Sequence, residues 1–484
     1  MRLRTLVATY LALAAGIFCF AAARGLTRSP WGAALIAALA AGGAGLGALR
    51  SRRLPLDPAA CSRGLKIASA VAAGLALVVI GRLTVFMIDP AKTAYSFIPS
   101  SNWELQHSCL TAYYVAADAV RHTPKIYDNA LYSAPDDDPA QPRKPLMLGA
   151  FQIDVYEYPP PFLLLPRALL ALTPAFSDLR MLWFGLNGIV MLGAMLLVAS
   201  ALDPAAGTRA LLLSPIVWLA PPTISTLQKG NVQGIVVAIS MIAMLLFARR
   251  RFAAGGALLA FATASKLYPG LLIVYLIVRR DWRAVAWTAA CGVAIGLATL
   301  AAFGWAPYAT FLQHMPGLMS GEAFPAFRRP TAMAINLSIP GLVFKAKLFG
   351  IPGMGFPAAK LVGWLYTAVA LAAVAWVGLR KPRPEREPLV WLAILTLATL
   401  RSPFLPQSYG AMPPLWLLTL VGAVWGSGGR AITGVVAIAA ALSIYWPHDW
   451  PADPRWIALL TCVTQAAIVA LIGFTIARCC FRKL

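Results

Sequence analysis

The chain has 484 residues, of which 60% are hydrophobic and 12% are charged, and its formal net charge is +23. With a mean hydropathy of +0.72, a soluble protein of this length is excluded, and the composition indicates a polytopic helical membrane protein. The basic residues lie mostly in short loops between apolar segments. We therefore interpret them as topology signals and lipid-headgroup contacts rather than as a nucleic-acid-binding face.

The apolar segments predict an all-α membrane protein, a single integral unit over residues 1–484, with about 12–14 transmembrane or partly spanning helices. The first helix carries no clear cleavage site and is expected to be retained. The distribution of basic residues places both termini in the cytosol. Spans are predicted near residues 5–23, 31–49, 67–88, 178–201, 209–222, 231–248, 284–303, 356–379, 388–401, 410–425, 431–446 and 456–477.

Residues 89–160 form the largest polar segment, hold about half of the acids and are predicted to be an exterior loop. Within it, residues 103–122 can be written as one amphipathic helix lying on the membrane surface, with Tyr114, Asp118 and His122 on one face. Cys109 is the only cysteine expected outside, so no exterior disulfide can form within one chain.

The end of this loop combines two acids with a proline run. Because consecutive prolines cannot continue a helix, residues 159–161 force an extended entry into the membrane and place Asp154 and Glu157 close to its surface. For each single acid, the alternative is a solvated loop charge. The aspartates at 136–138 are interpreted as solvated, since no further ligand pattern supports a metal role.

Residues 252–278 are apolar except around Lys266, and arginine clusters flank both ends. If both clusters remain cytosolic, the segment must enter the membrane and return as a hairpin. Each arm of roughly a dozen residues reaches about 18 Å, well short of the roughly 30 Å hydrocarbon core. Lys266 is then a functional candidate at membrane depth; the alternative is one long tilted helix whose lysine snorkels to the surface.

Two further polar clusters, residues 221–234 and 401–409, interrupt apolar spans on the same predicted side. These clusters contain Lys229 and Arg401. We expect these two cations and Lys266 to converge on an anionic, phosphate-like group. The alternative is that each cation only anchors its helix at the membrane interface.

Several elements in this order resemble glycosyltransferase family 87. They are residues 227–231 (Leu-Gln-Lys-Gly-Asn), the Gly255-Gly256 pair, residues 264–269 (Ala-Ser-Lys-Leu-Tyr-Pro), residues 279–283 (Arg-Arg-Asp-Trp-Arg), 113–117 (Tyr-Tyr-Val-Ala-Ala), 126–128 (Ile-Tyr-Asp), 158–160 (Tyr-Pro-Pro), 336–338 (Asn-Leu-Ser) and the Ser402-Pro403 pair. The resemblance covers roughly residues 85–425. It implies a GT-C-type fold and an integral membrane enzyme that transfers a sugar, usually mannose, from a polyprenyl-phosphate donor to a lipid-linked or glycan acceptor outside the membrane.

The chain departs from the family pattern at two places. The family's usual base is an aspartate a few residues before the loop tyrosine, and the corresponding position before Tyr113 is Cys109. The late Ser-Pro element usually leads to a tryptophan and a histidine, whereas here it leads to Gln407 and Tyr409.

These considerations give a set of candidate site residues. Glu104 is expected to be the base, with Asp154 and Glu157 as alternates and His107 as an orienting partner. The donor phosphate would be held by Lys266, Lys229, Arg401, Tyr268, Asn231 and Gln228. The sugar or acceptor would contact Tyr113, Tyr114, Tyr158, Gln407 and Tyr409. No cofactor and no metal site are expected, and a requirement for a divalent ion is left open.

The expected partners are membrane lipid, the lipid-linked donor and the acceptor, with no nucleic acid, in a bacterial inner membrane. Two other functions fit the same topology. One is a carrier for a lipid or small anion, with the cations along a translocation path. The other is a noncatalytic subunit of a glycan-assembly complex. A carrier predicts polar pathways toward both membrane faces, whereas exterior transfer predicts polarity at one.

Overall fold

The computed structural model describes residues 2–51, 54, 56–136, 143–426 and 453–481. Helices dominate these residues, which confirms the prediction of an all-α polytopic membrane protein. The helices of the first half are α1 (Leu3–Thr27), α2 (Pro30–Arg50), α3 (Arg63–Ile88), α4 (Asn102–Gln106), α5 (Cys109–Ala119), α6 (Leu164–Leu172), α7 (Phe176–Ala199), α8 (Pro204–Leu219), α9 (Pro221–Lys229) and α10 (Gln233–Ala248).

The second half begins at the predicted hairpin. Its helices are α11 (Phe252–Ser265), α12 (Gly270–Val278), α13 (Trp282–Phe303), α14 (Ala306–Ser320), α15 (Pro330–Ala334), α16 (Gly341–Leu348), α17 (Phe356–Arg380), α18 (Glu387–Thr399), α19 (Gln407–Gly410), α20 (Met412–Trp425) and α21 (Pro454–Cys480). The predicted span at 431–446 lies outside the described residues.

Seven of the described helices are long and apolar enough to cross a membrane. They are α1, α2, α3, α7, α13, α17 and α21. An eighth crossing results if α8 and α9, bent by 62° at Ala220, count as one broken span. Helices α10, α11, α12, α18 and α20 have only 9 to 16 residues, so they reach about 14–24 Å and can span the membrane only in part.

Close helix packing joins three of the helices that form the core. Gly185 and Gly188 of α7 lie directly against Phe18 and the backbone of α1, where any side chain would collide. Phe18 in turn contacts the ring of Trp218 from α8, with 5.3 Å between ring centroids. Small residues that let backbones approach are the usual basis of helix association in membranes, and here they join α1, α7 and α8.

Polar contacts define the two ends of the bundle. At one end, Arg28 after α1 pairs with Asp178 at the start of α7 at 2.8 Å, and the large loop of residues 89–160 lies at this end. At the other end, Arg249 donates to Ser200 just after α7, and Arg279 pairs with Glu387 at the start of α18. The arginine clusters at residues 249–251 and 279–283 therefore both lie at the end opposite the large loop.

The helix between these clusters breaks at Lys266, whose backbone is extended. The break shows that a continuous tilted helix, the alternative considered from the sequence, is wrong. The two arms pack on different neighbours. Gly256 of α11 contacts the backbone at Trp287 in α13, whereas Val278 at the end of α12 contacts Gly378 in α17. Lys266 is thus fixed between two independently packed short helices.

The prediction of one amphipathic helix over 103–122 is wrong. The chain forms α4, leaves helical geometry at His107 and Ser108, and resumes as α5, which ends at Ala119. The reason is a strand pairing that sequence spacing does not show: β1 (His107–Ser108) pairs in parallel with β5 (Phe151–Ile153). Nor does α5 lie only on the surface, since Tyr113 on its inner face is fully buried while Asp118 is exposed.

The remaining strands of the described chain complete two small sheets in the large loop. β4 (Met147–Leu148) pairs antiparallel with β5, giving the order β1-β5-β4. β2 (Ser133–Pro135) and β3 (Arg143–Pro145) form an antiparallel pair. The pairing of β1 with β5 brings His107 next to the segment that continues into Asp154.

Candidate active site

A fully buried ion pair lies beside the candidate site. Lys229, the last residue of α9, places its Nζ 2.6 Å from Glu104 Oε1, and neither side chain has any solvent exposure. Gln228 links the same elements, since its Nε2 donates to Glu104 O and its Oε1 accepts from the backbone N–H of Phe97, both at 2.7 Å. These contacts hold the start of the large loop onto α9.

This arrangement changes the roles expected for three residues. Glu104 and Lys229 neutralise each other away from solvent, so a substrate could reach neither without breaking the pair. Gln228, 2% exposed, uses its amide for backbone contacts. The geometry therefore makes Glu104 a poor base and makes Lys229 and Gln228 poor phosphate ligands, since all three instead hold the start of the large loop against α9.

A second group of side chains lies near the ion pair. It consists of His107 from β1, Cys109 from α5 and Asp154, the residue after β5. His107 Nε2 lies 3.8 Å from Asp154 Oδ2 and 3.7 Å from Cys109 Sγ. Tyr409 OH lies 3.1 Å from the same imidazole nitrogen. Trp103 stacks on the imidazole at a centroid distance of 4.1 Å and fixes the ring plane. The Asp154 side chain is 37% exposed, so it is the accessible acid of this group.

The three side chains could also bind a metal ion, because their ligand atoms lie within 4.8 Å of one another. Nitrogen, sulfur and carboxylate oxygen are a donor set suited to zinc. In the geometry described, two of the three ligand atoms already have hydrogen-bond partners. Tyr409 OH contacts the imidazole nitrogen of His107, and Asn231 Nδ2 donates to Cys109 Sγ at 3.3 Å.

The electrostatics of this group separate its possible proton carriers. Asp154 is enclosed on one side by its neighbours, and the resulting loss of hydration raises its pKa to about 6, against the opposing effects of hydrogen bonds from the Val155 backbone and Cys109 and of the charge on Lys229. Burial also raises the pKa of the Cys109 thiol to about 12 and holds the pKa of His107 well below its usual value. At neutral pH, Cys109 is therefore a thiol, His107 is a neutral imidazole and Asp154 is a carboxylate.

Glu157 differs from Asp154 in this respect. Burial and the neighbouring charge of Asp154 raise the pKa of the Glu157 carboxyl well above its usual range, although Lys266 opposes the shift. The raised pKa disfavours the ionised form of Glu157 that a general base requires. Of the three acids considered from the sequence, Asp154 therefore combines solvent exposure with a pKa that leaves it ionised at neutral pH.

Lys266 lies on another wall of the same region. Its Nζ donates to Gln233 Oε1 at 3.1 Å and lies 5.6 Å from the centre of the Tyr158 ring. The Tyr158 hydroxyl accepts a hydrogen bond from Tyr113 OH at 3.0 Å. Gln233 Nε2 and Tyr268 OH, both buried, make no hydrogen bond in the described structure. The hydrogen bond described for Lys266 is therefore to a neutral amide, which leaves its ammonium group able to bind an anion.

Asn231 and Tyr113 shape the turn that leads into α10. The side-chain oxygen of Asn231 accepts from the backbone N–H of Gln233, and Tyr113 OH accepts from that of Val232. Gly230 adopts a left-handed φ of +66°, where a side chain would meet Leu110. Asn231 and Tyr113 are thus used to hold the backbone, and neither is directed at an open surface.

Residues 336–338 and the segment that follows Ser402 form a clamp on the other side of the site. Asn336 Oδ1 accepts from the backbone N–H of Leu405, while Asn336 Nδ2 and Ser338 Oγ both donate to Pro403 O. This clamp fixes the extended segment that precedes α19. It thereby places Tyr409 against His107 and keeps Gln407 buried just before it.

Two expected site residues lie elsewhere. Arg401 donates from Nε to Thr367 Oγ1 at 2.7 Å and lies over the Trp364 ring, so its side chain packs on α17. Among the described contacts, none joins Arg401 to Lys229 or Lys266. Tyr114 donates to Pro174 O and faces an outer groove beside α6. The expected convergence of three cations is therefore reduced to the environment of Lys266.

The structure also adds residues that sequence reasoning missed. Gln233 holds Lys266, and Trp103 fixes His107, yet neither belongs to a charged motif. From the sequence, Cys109 is an exterior cysteine and a departure from the family pattern, and neither observation predicts a site residue. A signal for Gln233 was present in the sequence, since it is a polar residue two positions after Asn231 at the start of an apolar helix.

Comparison with known proteins identifies one family. The family model described as Glycosyltransferase family 87 matches residues 156–403, which is just over half of the chain. The matched region includes Lys229, Lys266 and Asn336, and it begins two residues after Asp154. No curated protein and no solved structure matches the chain.

Proposed function

The chain belongs to glycosyltransferase family 87, and we propose that it transfers mannose from a polyprenyl-phosphate donor to a hydroxyl group of a lipid-linked or glycan acceptor. As a member of this family with seven candidate spanning helices, the protein is a membrane glycosyltransferase. The observation that carries the finer proposal is that the same end of the bundle holds an accessible carboxylate, Asp154, and Lys266, whose described hydrogen bond is to the neutral side chain of Gln233.

In this proposal Asp154 is the general base. Its pKa of about 6 keeps it ionised at neutral pH but basic enough to take the proton of an acceptor hydroxyl. The neutral His107 beside it, stacked on Trp103, orients the carboxylate. Asp154 thus takes the role that the family usually gives to an aspartate at the position of Cys109.

Lys266 has the complementary role at the leaving group. The acceptor oxygen attacks C1 of the sugar while the bond from C1 to the phosphate oxygen breaks, and the electron pair of that bond remains on the phosphate. A polyprenyl phosphate is a good leaving group and needs stabilisation of its developing charge rather than protonation. The ammonium group of Lys266 supplies that stabilisation. A single displacement of this kind inverts the anomeric centre, and Asp154 then releases its proton to water.

We place the site on the exterior face of a bacterial inner membrane, with both termini in the cytosol. The supporting observation is that the clusters at 249–251 and 279–283 lie at the end of the bundle opposite the large loop. Basic residues are retained preferentially on the cytosolic side. The polar groups of the site gather at the loop end, which favours transfer at one face over carriage between two faces.

The experiment that tests the function uses purified protein in lipid vesicles, a membrane extract as the acceptor source, and radiolabelled polyprenyl-phosphate sugars. The proposal predicts label from the mannose donor in a new glycolipid or glycan, with inverted anomeric configuration. A carrier would instead move the labelled donor across the bilayer without a new product. A noncatalytic subunit would give neither result, and either outcome would reject the proposal.

A further inference from the structure

A second polar feature lies at the loop end, in a cavity that the proposed reaction does not use. The cavity has a volume of about 190 Å³ and lies between the end of α3, the start of α7 and the turn from β4 to β5. Among the described residues, apolar ones form most of its wall and Arg180 is the only charged one. Gly149, Ala150 and Ser177 are exposed, so the cavity opens to the surroundings.

Arg180 is a buried cation whose hydrogen-bonding capacity is only partly used. The residue is 2% exposed, and its Nη1 donates to Phe86 O and Met87 O at the end of α3. Its Nε and Nη2 have no hydrogen-bond partner in the described structure. The guanidinium lies between the rings of Phe86 and Phe151, 4.6 Å from each centroid, which holds its plane in place.

Among the described residues that line the cavity, none is acidic. The acids on the flanking elements have other partners: Asp178 pairs with Arg28 at 2.8 Å, and Asp89, just after α3, accepts from the backbone N–H of Ala91. A buried arginine without an anion is costly, because its guanidinium has lost water without gaining an opposite charge. Its geometry suits a phosphate, which accepts two parallel N–H bonds.

We propose that this cavity binds the phosphate group of an anionic lipid, with the Arg180 guanidinium on the phosphate and the attached apolar chain along the apolar wall. The position at a helix-end boundary of a membrane bundle is where lipid phosphates lie. The phosphate could belong to a bilayer phospholipid or to a polyprenyl phosphate. Phe151, which packs on Arg180, begins the strand that continues into Asp154, so the lipid would also hold that strand in place.

The test measures binding by native mass spectrometry of the full chain, purified in neutral detergent. The probes are phosphatidylglycerol, polyprenyl phosphate and neutral diacylglycerol. Arg180→Met should weaken binding of the anionic probes by about tenfold or more, because charge-assisted hydrogen bonds are lost. Diacylglycerol should show no difference. Arg82→Gln, which removes an exposed arginine from the same end of α3, is the matched control and should bind like the parent.

A second variant keeps the proposal testable if Arg180→Met does not fold. Ser177→Trp blocks the opening of the cavity and leaves the bonds from Arg180 to α3 intact. It should also abolish anionic-lipid binding. Stronger binding of polyprenyl phosphate would identify a substrate-type lipid, and equal or stronger binding of phosphatidylglycerol a bilayer lipid. If both variants bind anionic lipids as the parent does, Arg180 only caps α3 and the proposal is wrong.

Discussion

The buried pair of Glu104 and Lys229 gives the sharpest test of which acid is structural. We expect Glu104→Gln, which removes the negative charge with little change in shape, to destabilise the protein strongly. At the observed separation of 2.6 Å and an effective dielectric constant of about 20, the Coulomb attraction is about 6 kcal/mol before desolvation is subtracted. Loss of the Glu104 charge leaves the Lys229 ammonium group buried without a counter-ion, which lowers the unfolding free energy by about 3–5 kcal/mol.

The assay is a double-mutant cycle of unfolding free energies in mixed micelles. Lys229→Met should cost a similar amount, and the double variant should lose less than the sum of the two, with a coupling energy of about 1–3 kcal/mol. Asp178→Asn, which breaks an ion pair whose arginine is 66% exposed, is the control and should cost about 0–1 kcal/mol. If Glu104→Gln leaves the unfolding free energy unchanged but abolishes sugar transfer, Glu104 is catalytic and this reasoning is refuted.

Three further predictions concern the site. Lys266→Gln should lower kcat/KM by about 10²- to 10³-fold without lowering the unfolding free energy, whereas the exposed Lys347→Gln should change neither. The transfer rate should fall about tenfold per pH unit below about pH 6, because Asp154 becomes protonated there. A rate that stays constant down to about pH 5 would exclude Asp154 as the general base. Asn336→Ala should cost about 1–3 kcal/mol of unfolding free energy, because it leaves the backbone N–H of Leu405 unpaired, whereas Ser338→Ala removes a hydrogen bond to Pro403 O but keeps the Leu405 contact and should cost less. An equal unfolding free energy for parent and Asn336→Ala would show that the clamp is not needed for stability.

The sequence predicted the architecture well because the governing signal is local. Runs of apolar residues and the basic residues between them determine which segments enter a membrane, and α1, α2, α3, α7, α13, α17 and α21 follow the predicted spans. The break at Lys266 was also visible, since a charged residue interrupts a short apolar segment and Pro269, three positions later, cannot continue a helix from the preceding residues. The same local reasoning failed at residues 103–122, where pairing with a strand more than 40 residues later overrides the helical period.

The site was only partly predictable, because burial and pairing are not encoded in spacing. Glu104 and Asp154 are equally acidic in sequence, and the structure separates them by giving Glu104 a lysine and leaving Asp154 accessible. Likewise Lys229 and Lys266 are both single lysines beside apolar segments, yet of the two, Lys229 alone has a carboxylate described within hydrogen-bond distance. Partners of this kind come from distant segments and appear only once the chain is folded.

The most direct test of the central claim is the transfer rate of Asp154→Asn, measured with the labelled donor on protein whose unfolding free energy equals that of the parent. Because the amide cannot accept the acceptor's proton, we predict a rate about 10²- to 10⁴-fold lower, with donor binding retained. A parental rate in Asp154→Asn would contradict the assignment of Asp154 as the base and the account built on it.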